Sequence, residues 1–284
     1  MQNAMRIRTD LVFESADTGD GKYPEGVAVN KQSIREINIT TVQIDTPQAA
    51  KRLNRPTGTY LTFEGSLTNA QAFIDLLTQA LRKMLPEGPI LVVGLGNREI
   101  TPDALGPDVV QQIIATRHLT PEQLESIGME GLRAVCALAP GVMGQTGFEA
   151  AQLVSAALTV IPFSAVIAVD AFAARSASRL GKTIQLSTTG ISPGSGVLNS
   201  RAELSQKSLG VPVYAIGIPT VVDVATLLGD ICPTGEYDQS ALSMMVTPRD
   251  IDQTIAQGAR IIAVAINRAL QPRLDQREVT ALMN

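Results

Sequence analysis

The sequence has little cysteine and almost no histidine. Its 2 cysteines, Cys136 and Cys232, lie far apart and form no CxxC motif, which excludes a disulfide framework and a zinc ribbon. This sparing use of cysteine is typical of a reducing cytosol. The 1 histidine, His118, cannot build the two-histidine zinc site of an HExxH enzyme. No GxSxG motif accompanies it, so a serine hydrolase of that type is not indicated either.

Long apolar runs and long basic runs are also missing. The N-terminal ten residues contain no apolar stretch of the signal-peptide kind, and runs such as residues 165–169 are far too short to cross a membrane. Basic residues cluster only briefly, as in Lys51-Arg52, and the formal net charge is −4. We therefore expect a cytoplasmic protein with no membrane partner and no direct nucleic-acid partner.

An alternation of apolar strands and amphipathic helices runs through most of the chain. With 284 residues, 45% of them hydrophobic, the chain can bury one large core. Residues 69–85 carry apolar side chains at helical spacing, and residues 90–93 form the continuous apolar run of a strand buried on both faces. This pattern predicts an α/β fold with a mostly parallel sheet sandwiched by helices. Further strands are expected over residues 34–44, 60–63, 132–138, 165–169, 183–186 and 211–216.

The two ends of the chain show different signals. The first thirty residues have few apolar positions and many turn formers, so they are predicted to be loop-like. Near the other end, Thr247-Pro248 predicts the start of a long helix, with Thr247 as its N-cap.

Two aspartates stand out in the segments that follow the predicted parallel strands. Asp103 follows the strand at residues 90–93, and Asp170 comes directly after the strand at residues 165–169. Because the carboxyl ends of parallel strands meet at one edge of a sheet, both should open into one cleft. Neighbouring carboxylates raise each other's proton affinity, so one can act as a base and the other as an acid. That pair suffices for water-mediated amide hydrolysis without histidine.

Other interpretations of these residues remain open. Asp103 could cap the helix that follows it, and Asp170 could accept hydrogen bonds from loop amides. The turn Gly94-Leu95-Gly96 begins a dinucleotide-binding GxGxxG motif, although Glu99 occupies the place of its third glycine. Residues 188–196 could form an anion-binding nest for phosphate. The alternatives to a simple peptidase are therefore a nucleotide- or phosphate-binding α/β protein and a peptidase with a carboxylate-held metal ion.

Several motifs, in one order along the chain, resemble the germination protease family. The resemblance begins at Arg8-Thr9-Asp10-Leu11, continues through residues 94–107 and Ala168-Val169-Asp170-Ala171, and reaches Met245-Val246-Thr247-Pro248. It also includes the segment at residues 188–196 and therefore covers nearly the whole chain. The fold that it implies is shared with hydrogenase maturation endopeptidases.

The resemblance implies an atypical aspartic-type endopeptidase that degrades small acid-soluble spore proteins when spores germinate. Its two essential aspartates fall on Asp103 and Asp170, and its location would be the cytoplasm of the forespore and the spore core. No cofactor and no metal are expected, since Ala104 occupies the place of the acid that binds nickel in the maturation enzymes. Arg175 is expected to balance the local charge.

Substrate contacts are expected from the two glycine-rich segments. Glycines allow the backbone of a bound peptide to approach closely and leave N–H donors accessible. The predicted substrate-binding residues are Gly94, Gly96, Asn97, Thr189, Ser192, Gly194 and Ser195.

The resemblance also implies a self-processed zymogen that forms a homo-oligomer, typically a tetramer. The matching processing bond is Asp10–Leu11, so residues 1–10 would be a propeptide-like segment and residues 11–284 a single peptidase domain. The chain departs from the family at Val12-Phe13, which differ from the usual residues after the cut. A long segment of the family is also shortened here to about residues 229–242.

Overall fold

The computed structural model describes residues 9–16, 23–193, 201–231 and 237–283. The strands are β1 (Val27–Ile34), β2 (Ile37–Ile44), β3 (Gly58–Glu64), β4 (Ile90–Gly94), β5 (Val135–Leu138), β6 (Ala165–Ala174), β7 (Thr183–Ser187), β8 (Val213–Asp223) and β9 (Met245–Val246). The helices are α1 (Val12–Ala16), α2 (Pro47–Leu53), α3 (Ala70–Met84), α4 (Leu105–Val110), α5 (Pro121–Ser126), α6 (Met143–Thr146), α7 (Ala150–Val160), α8 (Gln206–Leu209), α9 (Val224–Ile231), α10 (Gln239–Leu242), α11 (Ile251–Leu270) and α12 (Gln276–Leu282). Two 3₁₀ turns cover Thr101–Asp103 and Ala177–Arg179.

The described strands form one sheet of mixed direction. Their order is β1-β2-β3-β7-β8-β6-β4-β5, with β9 added beside β8. The α/β class is confirmed, but only β5, β4, β6 and β8 are mutually parallel, and the remaining pairs are antiparallel. The expectation of a mostly parallel sheet therefore holds only for the half of the sheet that contains β5, β4, β6 and β8. For β7 to run parallel to β6 and β8, the chain after β6 would need a crossover connection of a dozen or more residues. The connection from β6 to β7 has only a 3₁₀ turn, so β7 runs in the opposite direction.

Helices cover both faces of the parallel half. Side chains alternate along β4, so Ile90 and Val92 pack with α3, α4 and α11, whereas Leu91 and Val93 pack with α7 on the other face. All five residues of β4 are buried, as its continuous apolar run predicts. The predicted amphipathic helix is confirmed as α3, which packs lengthwise on α11. Among the described residues, no helix is long and apolar enough to span a membrane.

Two predicted boundaries are wrong. Residues 27–30 belong to β1 instead of a loop, and the side chains of this strand are mostly exposed because it pairs only with β2 at the edge of the sheet. The long helix α11 starts at Ile251 with Asp250 at its N-cap. Thr247 instead donates its hydroxyl hydrogen to the carbonyl of Thr220, 2.7 Å away, and so ties this segment to β8.

Helix α4 approaches the ends of β4 and β6 at a position that only glycine can occupy. A Cβ at Gly106 would lie 2.2 Å from the carbonyl oxygen of Leu95 and 2.5 Å from that of Val169. These neighbours are backbone atoms of the central strands and of the loop that follows β4, so they cannot move aside as a flexible side chain would. The close contact places the loop carrying Asp103 directly against β6.

We expect Gly106→Ala to destabilise the protein by about 3 kcal/mol, because overpacking against backbone forces the helix away from the sheet. Urea unfolding would measure the loss of free energy of unfolding. Gly144→Ala in α6 is the matched control, since a Cβ there would have no neighbour within 4 Å. Equal stability of the two variants would show that α4 can shift without cost.

Candidate active site

A cavity of about 390 Å³ opens at the edge of the sheet where β4, β5, β6 and β8 have their carboxyl ends. This is the edge that the sequence predicts for the site. The cavity is lined by residues of these strand ends, of the segments around positions 141 and 192, and of β9. Strand β4 ends at Gly94, which pairs with Val169, while β6 continues to Ala174 and forms one wall of the cavity.

Asp170 lies within β6, not after it as expected. Its partner on β8 is Gly217, and only 5% of Asp170 is exposed. Burial raises the pKa of Asp170 well above its ordinary value, and the negative charges of Asp103 and Asp10 raise it further. The N–H of Ala171, 2.9 Å from Oδ1, opposes this increase only in part. Asp170 therefore holds a proton more tightly than an exposed aspartate does.

Asp103 lies at the end of the 3₁₀ turn that follows β4. Its Oδ2 accepts the backbone N–H of Asn97 at 2.7 Å. It makes no cap for α4, whose N-cap is Ala104 without a side-chain hydrogen bond, so the structural alternative of a helix cap is wrong. Burial raises the pKa of Asp103, while the N–H of Asn97 and the charge of Arg201 lower it. Gly96 has φ +112°, and a Cβ there would lie 2.1 Å from the Asp103 carbonyl oxygen, so this turn requires glycine.

Arg201 provides positive charge at the cavity. Its backbone N–H donates to Pro193 at 3.3 Å, and the neighbouring Leu204 pairs with Ile191, which holds Arg201 at the cavity wall. The guanidinium lowers the pKa values of both Asp103 and Asp170. The pKa of Asp170 is nevertheless raised well above its ordinary value, so Asp170 keeps the stronger preference for a proton of the two. Such a pair can supply a general acid and a general base to one reaction.

A third carboxylate, that of Asp10, lines the same cavity. The backbone N–H of Asp10 donates to the Ala173 carbonyl at 2.8 Å, and Ala173 N–H donates to Asp10 Oδ2 at 2.9 Å. The side-chain amide of Gln185 donates to the Asp10 carbonyl oxygen at 3.0 Å. The chain at Asp10 is therefore bound along the part of β6 that begins with Asp170.

The residues that follow Asp10 are anchored firmly. Leu11 is fully buried against Phe172 and Ala174. Glu14 accepts the backbone N–H of Arg175 at 2.9 Å, and Arg179 lies over the ring of Phe13 at 4.4 Å. The Asp10–Leu11 bond thus joins a carboxylate-bearing residue in the cavity to a side chain in the core.

The structure brings together some of the predicted site residues. Asp103, Asp170, Gly96 and Ser192 line the cavity, and Thr189 lines a neighbouring pocket that shares Asp10 and Ser192 with it. Asn97 contributes its backbone N–H to Asp103. Gly94 does not line the cavity, because it is buried against Gly106. Gly194 and Ser195 lie outside the described residues.

Sequence reasoning gave no site role to two polar residues. Arg201, and not Arg175, is the arginine that lines the cavity, and Gln185 binds the segment around Asp10. A buried glutamine inside an apolar strand is the signal that could have indicated Gln185. Within the described ranges, no group of three His, Cys, Asp or Glu residues is arranged to hold a metal ion.

Comparison with known proteins identifies the class and then the family. The germination protease family model matches residues 8–234. A germination protease of Clostridium acetobutylicum is 36% identical over 325 positions, which cover 98% of this chain and 99% of that protein. The germination protease of Oceanobacillus iheyensis is 41% identical, and the match covers 81% of this chain and 67% of that protein. The germination protease of Geobacillus sp. is 40% identical, and the match covers 95% of each chain. The chain is therefore a peptidase of α/β fold. It belongs to the germination protease family.

The relatives are longer than this chain in places. The alignment with the Clostridium acetobutylicum protein extends over 325 positions, whereas this chain has 284 residues. The relative therefore has residues where this chain has gaps.

Proposed function

We propose that the protein is an endopeptidase that starts the degradation of small acid-soluble spore proteins during germination, and that it is made as a zymogen which cleaves its own Asp10–Leu11 bond. The observation that carries the proposal is the position of Asp10, whose carboxylate lines the same cavity as Asp103 and Asp170. A segment that is bound in the same cavity as a carboxylate pair is the arrangement that intramolecular processing needs.

In the proposed reaction, ionised Asp103 takes a proton from a water molecule as the water oxygen attacks the carbonyl carbon of the scissile bond. Asp170, which carries the proton that its environment favours, donates it to the nitrogen of the leaving residue as the C–N bond breaks. The products are a new carboxyl group and a new amine, and each aspartate has changed its protonation state once. Transfer of a proton from Asp103 to Asp170 through solvent restores the pair.

Substrate proteins would bind in extended form along β6, where the backbone of Asp10 already binds Ala173. Gly96 and Ser192 would contact the peptide from the cavity wall, and Thr189 would contact it from the neighbouring pocket. The predictions of a single peptidase domain over residues 11–284, a homo-oligomer and a location in the cytoplasm of the spore core belong to the same proposal.

The test is incubation of a purified small acid-soluble spore protein with the full chain, followed by mass spectrometry of both proteins. We expect new N-termini in the substrate and loss of residues 1–10 from the chain itself, both unaffected by EDTA. Asp103→Asn should show neither product, because the base is gone. Intact substrate with every folded form, together with thermal stabilisation by a nucleotide, would favour a small-ligand protein instead. Loss of cleavage in EDTA would favour a metal-dependent peptidase.

A further inference from the structure

Gln185 is a buried polar residue in the middle of β7. It is 4% exposed, and the residues on either side of it, Ile184 and Leu186, belong to the hydrophobic core on the opposite face of the sheet. Both ends of its carboxamide bind one short stretch of backbone. Nε2 donates to the carbonyl oxygen of Asp10 at 3.0 Å, and Oε1 accepts the N–H of Val12 at 2.8 Å.

The register of the sheet puts Gln185 in line with Asp170 across β8. Gln185 pairs with Gly217 on β8, and Gly217 pairs with Asp170 on β6. Residues that pair across neighbouring strands point to the same face, so Gln185 and Asp170 face the same side, separated by roughly 10 Å, or two strand spacings. Residue 217 is glycine, and the ring of Phe172 on β6 lies over it, since a Cβ at Gly217 would be 2.6 Å from that ring.

The carbonyl that Gln185 binds has a particular place in the proposed reaction. The oxygen of Asp10 belongs to the Asp10–Leu11 peptide bond, so Nε2 contacts the scissile carbonyl itself. The second hydrogen bond holds the backbone one residue beyond Leu11. Leu11, between the two contacts, is fully buried. The carboxamide therefore fixes the carbonyl from the side of β7, while the two aspartates lie towards β4 and β6.

We propose that Gln185 is a further catalytic residue, whose Nε2–H polarises the scissile carbonyl; this inference rests on the proposed self-cleavage at Asp10–Leu11. When water adds to the carbonyl carbon, the π electrons of the C=O bond move onto the oxygen that Nε2–H already contacts. The hydrogen bond stabilises the developing negative charge without transferring a proton. The charge returns as the C–N bond breaks, so Gln185 is unchanged by the reaction.

Gln185 recognises only main-chain atoms of the segment, and loss of residues 1–10 removes one of its two partners, the carbonyl of Asp10, while Val12 stays in the chain. A buried Nε2–H whose partner leaves would carry the cost of an unsatisfied donor. A substrate carbonyl that accepts this hydrogen bond removes that cost. We therefore infer the same role for Gln185 on external substrates, independent of their side chains.

The experiment compares self-cleavage of the full chain in the wild type, Gln185→Glu, Gln185→Met and Gln271→Met. Glutamate keeps the size of Gln185 and an oxygen for the N–H of Val12, and its ionised form, which a rise in pH favours, has no hydrogen to donate to the carbonyl. Gln271 is the matched control: it is also buried, its carboxamide binds both backbone groups of Arg133 at 2.8 and 2.9 Å, and it lines neither the cavity nor the neighbouring pocket that Gln185 lines. Mass spectrometry gives the cleavage rate, and hydrogen exchange gives the protection of the Val12 amide.

We expect both Gln185 variants to cleave at least about 100-fold more slowly, the loss typical of a missing oxyanion donor. Gln271→Met should cleave at the wild-type rate, with a fall in Tm like that of Gln185→Met. Gln185→Glu should keep the protection of Val12, whereas a merely structural role would lose protection and rate together. If either folded Gln185 variant cleaves within about threefold of wild type while Asp103→Asn is inactive, the inference is wrong and the proposed function stands. If wild type itself leaves Asp10–Leu11 intact, the proposed processing fails.

Discussion

Asp170→Asn is expected to slow peptide cleavage by about 1,000-fold or more, within the range that general acid–base catalysis contributes. Asparagine keeps the shape of the side chain and can still accept the N–H of Ala171, but it cannot deliver a proton to the leaving amine. The rate is measured on a spore protein and on the Asp10–Leu11 bond by mass spectrometry. Asp275→Asn is the control, because this N-cap of α12 is remote from the cavity and asparagine caps equally well.

The same substitution should not destabilise the protein at neutral pH. The pKa of Asp170 is raised in the folded state, so the folded protein binds this proton more tightly than the unfolded chain does. The contribution of Asp170 to the free energy of unfolding is fully present below the pKa that this residue has in the unfolded chain. It is lost as the pH rises through the higher pKa that Asp170 has in the folded protein. Asparagine does not titrate, so the Tm of Asp170→Asn minus that of wild type should grow with pH over this window, to about 2 °C or more.

Two outcomes would contradict this prediction. A variant that cleaves within tenfold of wild type would remove Asp170 from the chemistry. A Tm difference that does not change with pH would mean that Asp170 titrates as an exposed carboxyl does, in conflict with its burial and with its position near Asp103 and Asp10.

Removal of residues 1–10 is expected to raise activity on an external spore protein by about 100-fold. The backbone and carboxylate of Asp10 occupy the part of β6 that a substrate would need. A tethered segment competes at an effective concentration of roughly 1 mM, so a segment affinity near 10 μM gives this degree of inhibition. Initial rates on the spore protein, measured before the full chain processes itself, give the ratio.

The matched control for this truncation is the chain lacking residues 1–7, which is shortened but retains Thr9 and Asp10. It should remain as inhibited as the full chain, because the contacts with Ala173 and Gln185 are kept. Equal activity of all three forms would show that Asp10 does not block the cavity. If deletion of residues 1–7 raises the activity as much as deletion of residues 1–10 does, the inhibition comes from residues before Asp10.

Much of the parallel half of the fold could be predicted from local patterns. The helical spacing of apolar residues marks α3, and the continuous apolar run marks β4, because each pattern reflects the burial of that element alone. The positions of Asp103 and Asp170 at one edge follow from the apolar runs that precede them, although β6 continues past Asp170. Most of the exposed strand β1 could not be predicted, because an exposed edge strand has no buried face to impose a pattern.

The sequence by itself determined the α/β class, the family motifs and the two aspartates, since these depend on residue types and spacings along the chain. Only the tertiary structure decided the direction of β7, the position of Arg201 at the cavity and that of Gln185 in the neighbouring pocket, with Asp10 lining both. These features depend on pairing between distant parts of the chain. Asp10 and Gln185 are 175 positions apart, and their contact exists because β6, β8 and β7 lie side by side. The local propensity of a segment carries no information about which strands will lie beside it. The order of the strands is set by the burial of the core that they share.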